Sequence, residues 1–154
     1  MRGKLKILLL AAGVIIALLL LSPLPRFTDP CSTVVEAADG SLLGARIAGD
    51  GQWRFPASDS VPEKFSKAIV TFEDRYFYLH PGVNPISIVR ALTDNIKTGH
   101  IVSGGSTITM QVARLARGNR ERTITTKLVE TFSALKLELF RSKKTILAMY
   151  VSNA

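Results

Sequence analysis

Between Ile7 and Pro25 the chain runs nineteen residues without a charge, ILLLAAGVIIALLLLSPLP. No other stretch restricts the fold as strongly. As an α-helix it rises about 28 Å, close to the hydrocarbon thickness of a bilayer. Arg2, Lys4 and Lys6 precede it, and basic residues stay on the cytoplasmic side, so the pattern predicts a cytoplasmic tail at 1–6, a transmembrane anchor at 7–25 and an exported remainder. A cleaved leader has the same layout, but the stretch from Ser22 to Cys31 lacks an A-x-A-like small-residue site. The reading is an uncleaved, single-pass anchor. Cys31 follows Thr28-Asp29-Pro30, the wrong context for a lipid-modified N-terminus, and is read as a lone thiol near the membrane.

Export bears on the charge. The chain carries +8 overall, unevenly: residues 26–96 hold seven bases against nine acids, whereas 97–154 hold ten bases against three acids. A basic half suits nucleic acid, anionic lipid or a phosphorylated substrate, and an exported domain excludes the first. One cysteine excludes an internal disulfide framework, and two isolated histidines without a second cysteine exclude the usual zinc spacings.

Residues 26–59 read as a linker with a small β segment. Short β-branched runs within 32–55 are broken at Asp39-Gly40 and Asp50-Gly51, both hairpin-turn dipeptides. Trp53 and Arg54 are taken as packing residues. From Ser60 to Ala154 the texture is helical. Ser60-Val61-Pro62-Glu63 fits a capping box, with Val61, Phe65, Ala68, Ile69 and Phe72 at helical spacing. Projected on that helix, Glu73 faces the interior and Asp74 the opposite side. A second helix is predicted from the Asn84 cap and Pro85 to a stop at Gly99, and a third from Ser106 to Gly118. A fourth runs roughly from Thr125 to Phe140, with Leu128, Phe132, Leu135 and Leu139 on one face. A fifth starts at Ser142 and reaches the end of the sequence without a stop signal, which reads as a fragment of a longer protein.

Three clusters carry chemistry. Thr71 to Gly82, TFEDRYFYLHPG, sets two carboxylates, a guanidinium and three aromatics at a helix end. A carboxylate beside aromatic rings loses hydration and becomes a general base near neutral pH; the other reading of Glu73 is a structural ion pair. Ser103-Gly104-Gly105-Ser106-Thr107 precedes a helix, where free N–H groups and hydroxyls bind phosphate, although such a loop also serves as a plain flexible connection. It lacks the Walker lysine pattern. Arg114, Arg117, Arg120, Arg122 and Lys127 follow within fourteen residues, a density suited to pyrophosphate, to lipid headgroups or to a solvated face. Lys127 and Glu130 lie three apart, as in an ordinary surface pair. Ala134 and Leu137 share Glu130's side of that helix, however, which turns this flank toward protein or a cleft. Ser133-Ala134-Leu135-Lys136 and Lys97-Thr98-Gly99 imitate penicilloyl-serine transferase signatures in the wrong order, and no acyl transfer is read from them.

Taken together, Glu73 to Gly82 with Ile88-Val89-Arg90-Ala91, then Gly104 to Arg114, then Arg122 through Lys127 to Glu130 with Ser142-Lys143, Tyr150 and Asn153, resemble the glycosyltransferase family 51 module of class A penicillin-binding proteins. Met110-Gln111 stands where Gln-Gln is commoner and, with Asp29-Pro30-Cys31-Ser32, points to one subgroup of that family. Thr126 stands where the family usually has arginine. The resemblance implies a mainly α, lysozyme-like transglycosylase domain against the outer face of the bacterial inner membrane. It also implies polymerisation of lipid II into a growing glycan strand, with inversion and release of undecaprenyl pyrophosphate. On this basis Glu73 is the catalytic base, assisted by Glu130. Arg90, Gly105, Ser106, Thr107, Gln111, Arg114, Arg122 and Lys127 bind the substrate and its pyrophosphate. A divalent cation, magnesium or manganese, is implied as cofactor, and inner-membrane lipids and other wall-synthesis proteins as partners. The competing expectations are a glycan-cleaving lytic transglycosylase or muramidase, and a non-catalytic membrane-anchored module.

Overall fold

A computed structural model describes residues 2–21, 23–28, 30–55, 60–118 and 123–154. The architecture is mainly helical, with one two-stranded sheet among the described residues. Helix α1 spans Arg2–Leu21, starting earlier and ending sooner than the 7–25 stretch. Alternating Lys4 and Lys6 do not interrupt a helix, whereas Pro23 and Pro25 supply no N–H to extend one. Among the described residues no helix is long and apolar enough to cross a membrane, so the expected span is not shown. Past α1, Leu24 and Phe27 pack against the core of the helical domain.

The expected β segment is a hairpin. Strands β1 (Thr33–Glu36) and β2 (Leu42–Arg46) pair antiparallel, and the turn between them places Gly40 at φ +83° with the Asp39 carboxylate accepting from the Ser41 N–H. The second turn, at Asp50-Gly51, folds residues 52–54 back onto Ser32 instead of pairing a third strand, through Ser32 N–H to the Arg54 carbonyl at 2.6 Å and Arg54 N–H to Ser32 Oγ at 3.0 Å.

Helix α2 (Glu63–Glu73) does not use the Ser60 capping box. Pro62 is its N-cap with extended backbone and no side-chain cap, because a residue before proline is kept out of the helical region and Val61 cannot open a helix. Helix α3 (Pro85–Thr98) starts and stops as predicted: Asn84 accepts from the Ser87 N–H at 3.1 Å, and Gly99 adopts the left-handed conformation. Helix α4 (Ile108–Leu115) is capped by Thr107, one residue after the expected Ser106. Helix α5 (Ile124–Phe140) has Thr123 as N-cap, with reciprocal bonds to Thr126, and α6 (Lys143–Asn153) has Ser142.

The core lies between α4, α5 and α6, around Phe77, Ile108, Val112, Leu137 and Ile146, all fully buried. Helix α5 turns the flank of Glu130, Ala134 and Leu137 inward. Its more apolar stripe points outward, with Leu128, Phe132 and Leu139 all exposed, and α1 touches this same helix. Helix α2 buries nothing fully, so it rests on the domain through half-buried Ile69 and Val70 and leaves Phe72 almost bare.

Candidate functional site

One cleft of about 840 Å³ collects most of the residues singled out above. Glu73 reaches it from the end of α2, Arg90 from α3, Gly105 and Ser106 from the loop before α4, Gln111 and Arg114 from α4, and Lys127 and Glu130 from the first turns of α5. Each element explains a placement. Gln111 and Arg114 are three apart and share a face of α4. Lys127 and Glu130 do the same on α5, with Nζ to Oε2 at 3.3 Å and the Glu130 side chain only 8% exposed. Lys127 Nζ also donates to Ser106 Oγ at 2.5 Å, tying α5 to the loop.

Glu73 is exposed, not interior. Helical projection fails because the apolar stripe that Glu73 borders on α2 is itself largely uncovered, with Phe65 and Phe72 exposed, while Asp74 already has non-helical backbone. Asp74 is the buried carboxylate. Both its oxygens lie 3.1 Å from His80 Nε2, and Oδ2 accepts from the Ile108 N–H at 3.1 Å. An acid at the first N–H groups of α4 meets the positive end of that helix. Glu73, left on the cleft side, accepts from Gln111 Nε2 at 2.9 Å through Oε2. Its other oxygen has no hydrogen bond among the described residues.

The segment between Asp74 and Gly82 is pinned at several further points. Lys143 Nζ donates to the His80 carbonyl at 2.7 Å and to Glu138 Oε1 at 2.8 Å, and stands 4.4 Å from the centre of the Phe77 ring. Thr109 Oγ1 donates to the same Glu138 oxygen at 2.6 Å. Gly82, at φ +87°, lies against α5 so closely that a Cβ there would sit 2.8 Å from the Ala134 carbonyl oxygen. The aromatic and charged run from Glu73 to Gly82 thus divides its labour: one carboxylate faces the cleft and the others fasten the segment.

Thr107 does not line this cleft. It is 1% exposed; its Oγ1 donates to the Gly82 carbonyl at 2.6 Å and accepts from the Met110 N–H. An N-cap side chain spent on both bonds has nothing left for a phosphate. It borders a second, smaller hollow of about 160 Å³, which shares Phe72, Glu73, Arg90, Gly104 and Ser106 with the first. Arg122 lies outside the described residues.

The cleft also takes in Phe72, Val102, Thr123, Ile124 and Thr126, which the sequence does not mark as site residues. Thr126 shows why: in the sequence it is only a departure from the family, and its place at the cleft follows from being N3 of α5. Tyr150 is a further neighbour. It is 8% exposed, and its phenol is pushed up from its usual value by burial first and then by the Glu73 charge, with Arg114 opposing. A raised folded value means stability present below about pH 10 and lost as pH rises through the folded value. Alkaline unfolding should therefore be shallower in Tyr150→Phe than in the parent, as followed by circular dichroism between pH 9 and pH 12.

Chemically the cleft holds a carboxylate with one free oxygen, three cations (Arg90, Arg114 and Lys127), a second and buried carboxylate, and a loop with two adjacent glycines. Arg114 Nε is buried with no hydrogen-bond partner. Among the described residues no three His, Cys, Asp or Glu side chains converge as a metal cage. Glu73 and Glu130 are the cleft-lining carboxylates whose oxygens have the chemistry to serve a hard cation.

Comparison with known proteins agrees with these elements. Residues 40–154 match the Transglycosylase family. Penicillin-binding protein 1C of Escherichia coli (strain K12) is 41% identical over 133 residues, 86% of this chain and 17% of the relative. Penicillin-binding protein 1A of Aquifex aeolicus (strain VF5) is 39% identical over 129 residues, 84% of this chain and 18% of the relative. Penicillin-binding protein 1A of Neisseria lactamica is 36% identical over 130 residues, 84% of this chain and 16% of the relative. The subgroup to which Met110-Gln111 points is the 1C one, and Met110 itself is a core residue at 1% exposure. The chain thus spans less than a fifth of the length of these relatives, and with the family match running from Gly40 to Ala154 it belongs to the Transglycosylase family.

Proposed function

We propose that this chain carries the donor-binding and base-bearing part of a peptidoglycan glycosyltransferase that joins lipid II units into glycan strands. The observation that carries the reading is the shared cleft: two carboxylates, three cations and a glycine-rich loop converge there from four helices and the loop before α4. In this reading Glu73 Oε1 takes the proton of the acceptor's 4-hydroxyl as its oxygen bonds to the donor's anomeric carbon from the opposite face. The bond from that carbon to the pyrophosphate oxygen breaks, and undecaprenyl pyrophosphate leaves with the electron pair. Gln111 orients Glu73, and an amide cannot compete for the proton. Lys127, Arg114, Arg122 and Arg90 meet the leaving charge, as fixed cations do best where charge develops. Glu130 keeps Lys127 aimed at Ser106. A divalent cation would bind Glu130 and the pyrophosphate and neutralise the leaving group.

Glu73 lines both hollows, a placement suited to a base shared between two substrates. The cationic lining disfavours glycan cleavage, which generates no pyrophosphate and needs no such clamp. The uncharged run from Ile7 to Pro25 behind Arg2, Lys4 and Lys6 supports a single-pass anchor in the inner membrane with the domain outside. The exposed apolar stripe of α5 supports a seat at the lipid surface. Wall-synthesis proteins are the natural partners there.

The test is to supply the full-length protein in vesicles with labelled lipid II and separate the products. Polymerised glycan and undecaprenyl pyrophosphate are expected. Soluble muropeptides released from preformed glycan, with no polymer from lipid II, would instead establish a cleaving enzyme.

A further inference from the structure

Residues 101–107 have no regular secondary structure, yet Val102, Ser103, Gly104, Gly105 and Ser106 form one wall of the cleft. A wall without its own backbone ladder needs its polar groups satisfied from elsewhere. On α3, the Asn95 carboxamide does this for two consecutive residues. Its Oδ1 accepts from the Val102 N–H at 2.8 Å and the Ser103 N–H at 3.0 Å, and its Nδ2 donates to the Ser103 carbonyl at 3.1 Å. Seven residues earlier on α3, Ile88 lies under Gly105: a Cβ on Gly105 would sit 2.8 Å from the Ile88 Cα. Seven residues are two helical turns, so Ile88 and Asn95 lie on one face of α3 and the loop is laid along it. Its far end meets Lys127 at Ser106.

We propose that Asn95 is a positioning residue: by holding the 102–103 backbone it fixes the glycine loop and Ser106 against Lys127, so that the wall meeting the substrate's pyrophosphate is set before the substrate arrives. The choice of side chain follows from the pattern. Aspartate offers acceptors for both N–H groups but no donor for the Ser103 carbonyl, and it adds a negative charge to a wall that faces an anion. Alanine offers nothing. Asn95 is not among the residues that touch the substrate in the mechanism above, so it acts through the loop. This proposal rests on the pyrophosphate reading of the cleft.

The experiment uses the full-length protein in vesicles, with wild type, Asn95→Ala, Asn95→Asp, Ser106→Ala and the double variant Asn95→Ala/Ser106→Ala, each checked for folding by circular dichroism. Asn95→Ala is expected to lower kcat/KM on lipid II about 10-fold or more, since misplaced contacts cost rate steeply. Asn95→Asp should retain part of the loop order and still lose rate. In the Ser106→Ala background the Asn95→Ala loss should shrink, because residues acting through one contact are not additive. Hydrogen exchange at the Val102 and Ser103 amides should accelerate in Asn95→Ala while α4 stays protected. Full additivity, or an Asn95→Ala enzyme with wild-type kcat/KM despite faster exchange, overturns the proposal and leaves the glycosyltransferase reading standing. If Asn95→Ala does not fold, Asn95→Asp with unchanged kcat/KM overturns it in the same way. A wild type that does not polymerise lipid II overturns the functional reading and the proposal together.

Discussion

Glu73→Gln is expected to lower glycan polymerisation by about 10²–10⁴-fold, the usual contribution of a positioned general base. The substitution keeps size and shape and leaves Gln111 a partner, so folding and lipid II binding should hardly change. What disappears is the capacity to take a proton at the one oxygen that nothing else in the described structure engages. Because Glu73 is exposed, neither charge nor its loss is locked in by burial, and the variant carries no desolvation cost that would blur the result. The measurement is chain length and rate from labelled lipid II, beside binding of the same substrate. Undiminished polymerisation with intact binding would remove Glu73 from the chemistry. A parallel fall in binding and rate would instead assign it to substrate recognition.

The largest effect on stability is expected at Gly82. Its φ of +87° is a conformation that side chains rarely take, and an added Cβ would lie 2.8 Å from both the Ala134 carbonyl oxygen and the Glu138 Cγ. The two costs are separate. Left-handed backbone costs a non-glycine residue about 1–2 kcal/mol, and overpacking against a helix backbone costs about 1–3 kcal/mol. Gly82→Ala should thus lose about 2–5 kcal/mol, read as a drop in the denaturation midpoint of the purified protein. The same replacement at Gly40 has the positive φ but meets nothing within 4 Å, so it should cost only the backbone part. Equal midpoints for the two variants would show that contact with α5 contributes nothing.

How much of this was legible in the sequence varies with what the signal depends on. Helices α3, α5 and α6 and the site-bearing motifs were readable because caps and spacing are local chemistry: Asn84 with Pro85 for α3, the spacing of Leu128, Phe132, Leu135 and Leu139 for α5, whose Thr123 cap was not read, and Ser142 before Lys143 for α6. The inward flank of α5 was readable from Ala134 and Leu137 beside Glu130. Two inferences failed where local chemistry competed with something else. The Ser60 capping box lost to the restriction that Pro62 places on Val61. The burial of Glu73 was inferred from an apolar stripe on α2 that the domain leaves largely uncovered, and it is Asp74, past the helix end, that is buried at 7% exposure. The exposed stripe of α5 was invisible as such, since apolar spacing marks a face without saying which neighbour covers it. Asn95 was also missed, because its three bonds go to main-chain atoms seven and eight positions away, and backbone partners leave no trace in residue identity. Thr107 carried a misleading signal: a threonine at the mouth of a glycine loop reads the same whether its hydroxyl meets phosphate or the Gly82 carbonyl.

The reach of Lys143 has a consequence for biogenesis. Its ammonium grips the carbonyl of His80 across sixty-three positions, so the stretch beside the proton acceptor lacks one of its fastenings until α6 has been synthesised and has docked. Nascent chains that stop short of that lysine would then hold this stretch only through its links to α4 and α5.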